Sequence, residues 1–421
     1  MKRHAFAWVI FSTAVAFFLY EFIIRVFPAV MEPELRADFG LTAGAFGATI
    51  AFYYYAYAPM QIPVGILMDR YGARYLLTIA ALVCALGCLL FGFGEEIWML
   101  RIGRFLMGAG SAVGFVGYVY VASHWFPSNR LAFLVGFGNS IGMLGGILGE
   151  GPFAYPVHTF GWRPATLGLG TLGLLVAIIL ALAIRNQPRS TGSDISEVPT
   201  LRESAKSFLL VCKEPQIWLN AICGFFLFAT INAFGGLWGV PFLQQAYGLS
   251  KQTAGFTATM TFLGLIAGGP IIGSLSDKVA RRKSFLIASS LLGFISIIPV
   301  IYFLETPVWL VFGCLFLAGF FSGGQLLNFS FAIETMPRIA KGSATAVTNF
   351  IVMASGALIQ PFVGLVLDAF WDGAMEGGRP IYDLETYQHA MSFFPLSFLI
   401  AALLALFLKE RRHAEYTYVQ G

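Results

Sequence analysis

Charge is what this chain has least of. Only 11% of its 421 residues are Asp, Glu, Lys or Arg, and the 26 bases outnumber the 22 acids by 4. With no run of bases interleaved with polar residues, nucleic acid is not an expected partner. Cysteine is scarce as well: Cys84, Cys88, Cys212, Cys223 and Cys314 are scattered, mostly inside apolar runs. That spacing excludes a disulfide framework and a thiolate metal site. No nucleophile–base pair, metal-ligand cluster or phosphate loop is visible, so neither an enzyme nor a cofactor is expected.

What fills the chain is apolar. It is 57% hydrophobic, with 42 Phe and a mean hydropathy of +0.75, more apolar surface than a compact water-soluble core can hide. The solvent must be lipid. Stretches of about 20 apolar residues, enough to cross a ~30 Å hydrocarbon layer, fall at 6–30, 43–66, 75–94, 97–122, 131–152, 164–184, 215–240, 252–272, 284–304, 307–331, 343–367 and 390–408. Lys2, Arg3 and His4 ahead of the first stretch imitate a secretory signal. The run from Ala5 to Val30 is too long for one and contains Glu21 and Arg25, so it reads as a span. Twelve spans put both termini on one side. Assigning the termini and even-numbered loops to the cytoplasm collects 19 of the 26 bases, leaves Arg36, Arg163, Lys251 and Arg379 outside, and keeps Arg25, Arg101 and Arg104 within spans. By the positive-inside rule both termini are cytoplasmic, in a multi-pass protein of the cell (inner) membrane.

The charged turn Gly65-Ile66-Leu67-Met68-Asp69-Arg70-Tyr71-Gly72-Ala73-Arg74 has a near-copy at Gly273-Ser274-Leu275-Ser276-Asp277-Lys278-Val279-Ala280-Arg281-Arg282-Lys283. Acids and bases this dense, between apolar runs, mark places where the chain leaves the membrane. The spacing Gly-x-Leu-x-Asp-(Arg/Lys)-x-Gly-x-(Arg/Lys) resembles the signature loop between helices 2 and 3 of major facilitator superfamily transporters. In that family it recurs, weakened, between helices 8 and 9, and here Ala280 stands where the first copy has Gly72.

The resemblance implies an all-α membrane protein of 12 transmembrane helices in two pseudo-symmetric six-helix bundles, working as a secondary transporter by alternating access. The duplication runs through the whole chain. Asp277 follows Asp69 by 208 residues, Pro337 follows Pro127 by 210, and Trp218 follows Trp8 by 210. Expected units are therefore an N-terminal bundle over 1–185, a cytoplasmic linker over 186–214 with room for a short surface helix, and a C-terminal bundle over 215–421, with a cavity where the bundles meet. The loop from Asp368 to His389 is acidic and expected to be a solvated outer lid or spacer.

Charged side chains at mid-membrane depth are costly against lipid and must face protein or a wet cavity. Glu21 lies about fifteen residues into the first span, near its middle at ~1.5 Å per residue, and Arg25 follows one turn later. One reading is a self-neutralising pair that locks packing. The other gives Arg25 to a substrate carboxylate and Glu21 to a proton or a substrate ammonium. Arg104, in Arg104-Phe105-Leu106-Met107-Gly108-Ala109-Gly110, is similar to a helix 4 pattern of the family, which implies a cavity-facing or proton-linked arginine, although Met107 replaces a usual Gln. Tyr54, Tyr57, Asn139, Asn232 and Asn328 complete the expected substrate-binding set. Gly65, Asp69, Arg70, Gly72, Arg74, Asp277 and Arg281 form the expected gating motif. Glu150, near the outer end of the fifth span, suits a gating contact or plain solvation.

The 210-residue offset carries Arg25 to Gly235, so the second half lacks the matching arginine that organic-phosphate exchangers of this superfamily use. The expected cargo is a small solute with one carboxylate, an amino acid or organic anion, moved by proton symport. The first-helix pattern is similar to amino-acid transporters of intracellular bacteria and to organic-anion symporters. Proton-driven export of a drug or metabolite, and a transporter-like ligand sensor, are the alternatives. The expected partners are the solute, the proton and the lipid bilayer, and the expected state is a monomer.

Overall fold

The computed structural model describes residues 2–127, 130–185, 201–376 and 379–410, and almost all of them are helical. The first helix, α1, opens as Lys2–Val26 and continues through a 3-10 turn, Phe27–Met31, into Glu32–Phe39. Residues 43–71 form α2 and 73–92 form α3, the two arms of a 50-residue helical stretch, Ala43–Gly92, that leaves helical geometry at Gly72. Unbroken, 50 residues would extend about 75 Å, over twice the bilayer core. The remaining spans are α4 (Ile97–Trp125), α5 (Phe133–Phe160), α6 (Trp162–Ala183), α7 (Pro215–Tyr247), α8 (Lys251–Val279), α9 (Arg282–Tyr302), α10 (Val308–Thr335), α11 (Lys341–Ala369) and α12 (Leu384–Leu406).

Among the described residues, eleven helices are long and apolar enough to cross a membrane. The other expected span is α2, whose four tyrosines, Gln61, Pro59 and Pro63 make it more polar. The chain is thus an all-α, multi-pass membrane protein. Within the expected linker, Leu201–Cys212 is a helix. The rest of that linker, residues 186–200, lies outside the described residues, as do Arg189, Arg411 and Arg412 of the charge count.

Helices α1–α6 pack chiefly on one another, as do α7–α12, and the two sets meet mainly along two seams, α2 against α11 and α5 against α8. In the first seam backbone touches backbone. A Cβ on Gly47 would stand 2.5 Å from the Gln360 carbonyl oxygen, and one on Gly364 would stand 2.3 Å from that of Ala43. Both contacts lie toward the end where α1 stops and α2 starts, the outer end by the charge pattern.

The acidic 368–389 loop is more than the solvated spacer expected. Asp368 accepts hydrogen bonds from the Ala43 and Gly44 amides at 3.0 and 2.9 Å and from the Tyr382 hydroxyl, supplying an acceptor to amides that a helix start leaves free. Met375–Glu376 pairs antiparallel with Arg379–Pro380, and the Pro380 carbonyl accepts from Arg36. Helix α12 starts at Leu384, six residues before its expected start, because Asp383 caps it by accepting from the Thr386 amide at 2.8 Å. Sequence hydropathy misses such a polar first turn.

The two signature turns are built differently. Gly72 has φ 76 and ψ 166, a combination open in practice to glycine alone. Its counterpart Ala280 has φ 53 and ψ 40, the left-handed region, at a cost of about 1–2 kcal/mol for an L residue. Gly72→Ala is therefore expected to lower the thermal unfolding midpoint of the detergent-solubilised protein, at a cost of about 1–3 kcal/mol. Gly65→Ala, at a helical position with open space around it, should leave the midpoint unchanged; equal midpoints for the two variants would refute the assignment of strain to Gly72.

Candidate functional site

A cavity of about 1650 Å³ lies between the two sets of helices. It runs from Arg25 and Tyr57 near the middle of the molecule to Arg70, Phe208 and Gly342 at the inner end. The outer end is shut by the two seams, by Asp368 on α2, and by an ion pair between Lys251 and Glu34.

At its deep end sits the pair that the sequence singles out. Arg25 Nη2 donates to both Glu21 oxygens, at 3.1 and 3.0 Å. The Tyr53 hydroxyl donates to Glu21 Oε2 at 2.9 Å and accepts from Arg25 Nε at 3.2 Å. Glu21 is fully buried and Arg25 is 4% exposed. Two rings enclose the guanidinium, with Phe22 4.1 Å and Tyr57 4.7 Å from its carbon, geometry that adds cation–π attraction. The carboxylate, the guanidinium and the phenol are thus satisfied by one another, as buried charge requires. Arg25, not Glu21, reaches the cavity wall.

Arg104 does not face the cavity as expected. It is fully buried and donates to the backbone carbonyls of Ile24 (2.6 Å), Arg25 (3.0 Å) and Ile50 (3.2 Å). The reason lies four residues beyond Ile24, where Pro28 has no N–H for the Ile24 carbonyl. Arg104 supplies the missing donor where α1 passes into its 3-10 turn.

Tyr57 and Asn139 line the cavity as expected. Tyr54, Asn232 and Asn328 lie off its wall in this conformation. The Tyr54 hydroxyl donates to Asn232 Oδ1 at 3.3 Å, and Asn232 donates to Ser355 at 2.9 Å, while Asn328 Nδ2 donates to the Asn220 side chain and carbonyl at 2.8 and 2.9 Å. These amides cross-link buried helices, the commoner use of such residues in membranes. Two residues outside the expected set matter more. Tyr53 closes the charge pair and stacks on Tyr57, with ring centroids 5.7 Å apart; the signal for it was the i, i+4 spacing of these two tyrosines. Gln61 accepts from Asn349 at 3.0 Å, a bridge between α2 and α11 on the cavity wall.

In the gating motif, Gly65 and Arg70 reach the cavity mouth, and Arg74 Nε donates to the Ala181 carbonyl at 3.2 Å, near the end of α6. The side chain of Asp69 lies outside the described residues. Asp277 pairs with Arg282 at 2.5 Å, and Arg282 also reaches Glu334 on α10 at 3.0 Å. Arg281, the base of the expected motif, is exposed; the left-handed turn at Ala280 brings Arg282 back toward Asp277.

Comparison with known proteins agrees with this architecture. The family model described as Major Facilitator Superfamily matches residues 13–240 and 221–418. The chain belongs to the major facilitator superfamily. Its likeness to solved structures is one of fold: a bacterial homologue of the human lysosomal transporter Spinster, inward-facing and unoccupied, has a TM-score of 0.77 at 17% identity, covering 96% of this chain and 97% of the other. Among curated relatives, the "Probable sulfoacetate transporter SauU" of Cupriavidus necator is 26% identical over 64% of each chain. The "Probable galactarate/D-glucarate transporter GudP" of Bacillus subtilis is 24% identical over 87% of each. The "Membrane sensor protein UhpC" of Escherichia coli is 25% identical over 97% of this chain and 91% of the relative.

Removing one member of a buried pair strands the other. Arg25→Ala is expected to destabilise this superfamily member by about 3–5 kcal/mol, and Glu21→Gln with Arg25→Gln by clearly less. Thermal unfolding of both variants checks this, and a double variant no more stable than Arg25→Ala would sever the energetic link between the two side chains.

Proposed function

We propose that this chain is a secondary active transporter for a small organic anion bearing a carboxylate or a similar acid, moved across the cytoplasmic membrane by proton symport. The observation that carries the reading is Arg25, a cation on the wall of a central cavity, held by a carboxylate that an incoming anion can replace. When a substrate acid takes the guanidinium fork, Glu21 loses its partner in a buried site. It then takes up a proton rather than remain charged. Loading and protonation are thereby linked.

Two further facts support an anionic cargo. Among the described residues, the charged side chains on the cavity wall, Arg25 and Arg70, are both cations. Three of the curated relatives are named for sulfoacetate, for galactarate or D-glucarate, and for hexose phosphate, all acids. The wall also carries Phe18, Phe22, Phe115, Phe228 and Phe329, so the cargo that fits best has an apolar body behind its acid group.

The proposed units are bundles 1–185 and 215–421, joined by the linker 186–214 and rocking about the cavity, with both termini cytoplasmic and the protein acting as a monomer. The turns at Asp69 and Asp277 would latch the inner side in the opposite, outward-open state. The relative named a membrane sensor favours a second reading, ligand binding without flux.

Proteoliposomes separate these readings. After a thermal-shift screen of monocarboxylates, sulfonates, sugar acids and sugar phosphates, the hit is expected to accumulate when the side facing it is acidic. Arg25→Ala should lose both binding and uptake, and Glu21→Gln should keep exchange while losing proton-driven accumulation. Binding without uptake under any gradient would establish the sensor instead, and uptake indifferent to Arg25→Ala would remove the proposed site.

A further inference from the structure

One buried acid takes no part in the site above. Glu150 closes the regular part of α5, is fully buried, and neither of its carboxylate oxygens has a hydrogen-bond partner among the described residues. It stands in the seam between α5 and α8. A Cβ on Gly255 of α8 would lie 2.8 Å from the Glu150 carbonyl oxygen, and the Phe256 ring rests against Gly151.

Among the described residues, the charges on the surrounding elements are engaged elsewhere. On α1, Glu21 and Arg25 hold each other, and beyond the 3-10 turn Glu32 pairs with Arg36. On α8, Lys251 pairs with Glu34, and Asp277 and Lys278 lie at the far end. On α4, Arg104 is engaged by carbonyls, Tyr118 donates to the Val135 carbonyl and His124 lies at the inner end. Tyr155 and His158, just past Glu150, are exposed. A carboxylate without donor or counter-ion in such a place would cost several kcal/mol. A neutral acid is the species that can occupy it.

We propose that Glu150 is a second proton-binding site, set in the outer α5–α8 seam, that takes one proton from the outer solution when the seam shuts and returns it when the seam parts. Glu150 does not line the central cavity, so its proton has no exchange route to the inner side in this conformation. It is therefore distinct from the proton handled at Glu21 and is not carried across. Its effect is on the balance of states. The shut form holds one proton more than the parted form, so low pH favours shutting and the advantage is lost as pH rises. Between the two ionisation ranges the parted-to-shut ratio grows about tenfold per pH unit.

This inference rests on the alternating-access reading, and the test separates the two. Spin labels go on Thr159→Cys and Gln252→Cys, exposed positions on α5 and α8 at the outer end, with the half-buried Cys212 and Cys314 replaced by serine. Their separation is measured in lipid nanodiscs by electron–electron resonance from about pH 5 to 9, across the acid range of a carboxylate moved by burial. The wild-type background should give two distances whose ratio changes about tenfold per pH unit over part of that range. Glu150→Gln should hold the short distance with no slope, while Glu21→Gln keeps the slope. A wild-type slope in Glu150→Gln overturns the proposal even if the populations shift, since packing alone changes amounts and not proton linkage. If the wild type gives two distances indifferent to pH, the Glu150 site alone falls; if it gives a single distance throughout, alternating access falls with it.

Discussion

A charged pair in the middle of a membrane protein constrains everything built around it. Glu21 and Arg25 are tolerable at that depth only because each satisfies the other and Tyr53 completes the set. That requirement places α2 against α1, since Tyr53 must reach the carboxylate, and it brings Tyr57 over the guanidinium one turn along. The aromatic crowding of α2, which makes it the most polar of the expected spans, is what the charges demand. A triad so complete is also vulnerable. An anion offering Arg25 a comparable pair of acceptors must displace Glu21, which Tyr53 also holds.

Arg104 serves the pair indirectly. By donating to the carbonyls of Ile24, Arg25 and Ile50 it repairs the gap that Pro28 opens and ties α4 to α1 and α2 at the level of the charges. The guanidinium of one arginine therefore holds the backbone from which another projects. Its own charge is balanced by carbonyl dipoles and by the face of Tyr53, 4.8 Å away, with no carboxylate in contact.

Much of this molecule was legible from length and charge. Spans of about twenty apolar residues, the duplicated turn and the placement of bases report on forces that act along the chain, so sequence order suffices to read them. Glu21 and Arg25 stood out for the same reason, as ions inside an apolar run. What stayed hidden depends on neighbours distant in sequence. That Arg104 would turn to a carbonyl freed by Pro28 needs the crossing of α1 and α4. That Tyr53 rather than Tyr54 meets Glu21 needs the rotation of α2 about its axis. That Arg282 meets Asp277 needs the left-handed turn at Ala280. Glu150 looked equally suited to water or to a gating contact until α8 covered it.

The seam between α2 and α11 brings two backbones into contact at Gly47 and Gly364, with the Asp368 side chain pinning it at one end and the Gln61–Asn349 bridge farther along. Interlocked leucines would have to be drawn out of their sockets before such helices could move apart, uncovering oily surface as they went. At these two glycines there is little to extract and little to wet, so that part of the contact resembles two smooth rails more than a zipper. Sliding at the two glycines is then opposed chiefly by the hydrogen bonds of Asp368 and of Gln61 with Asn349, which break and re-form one at a time.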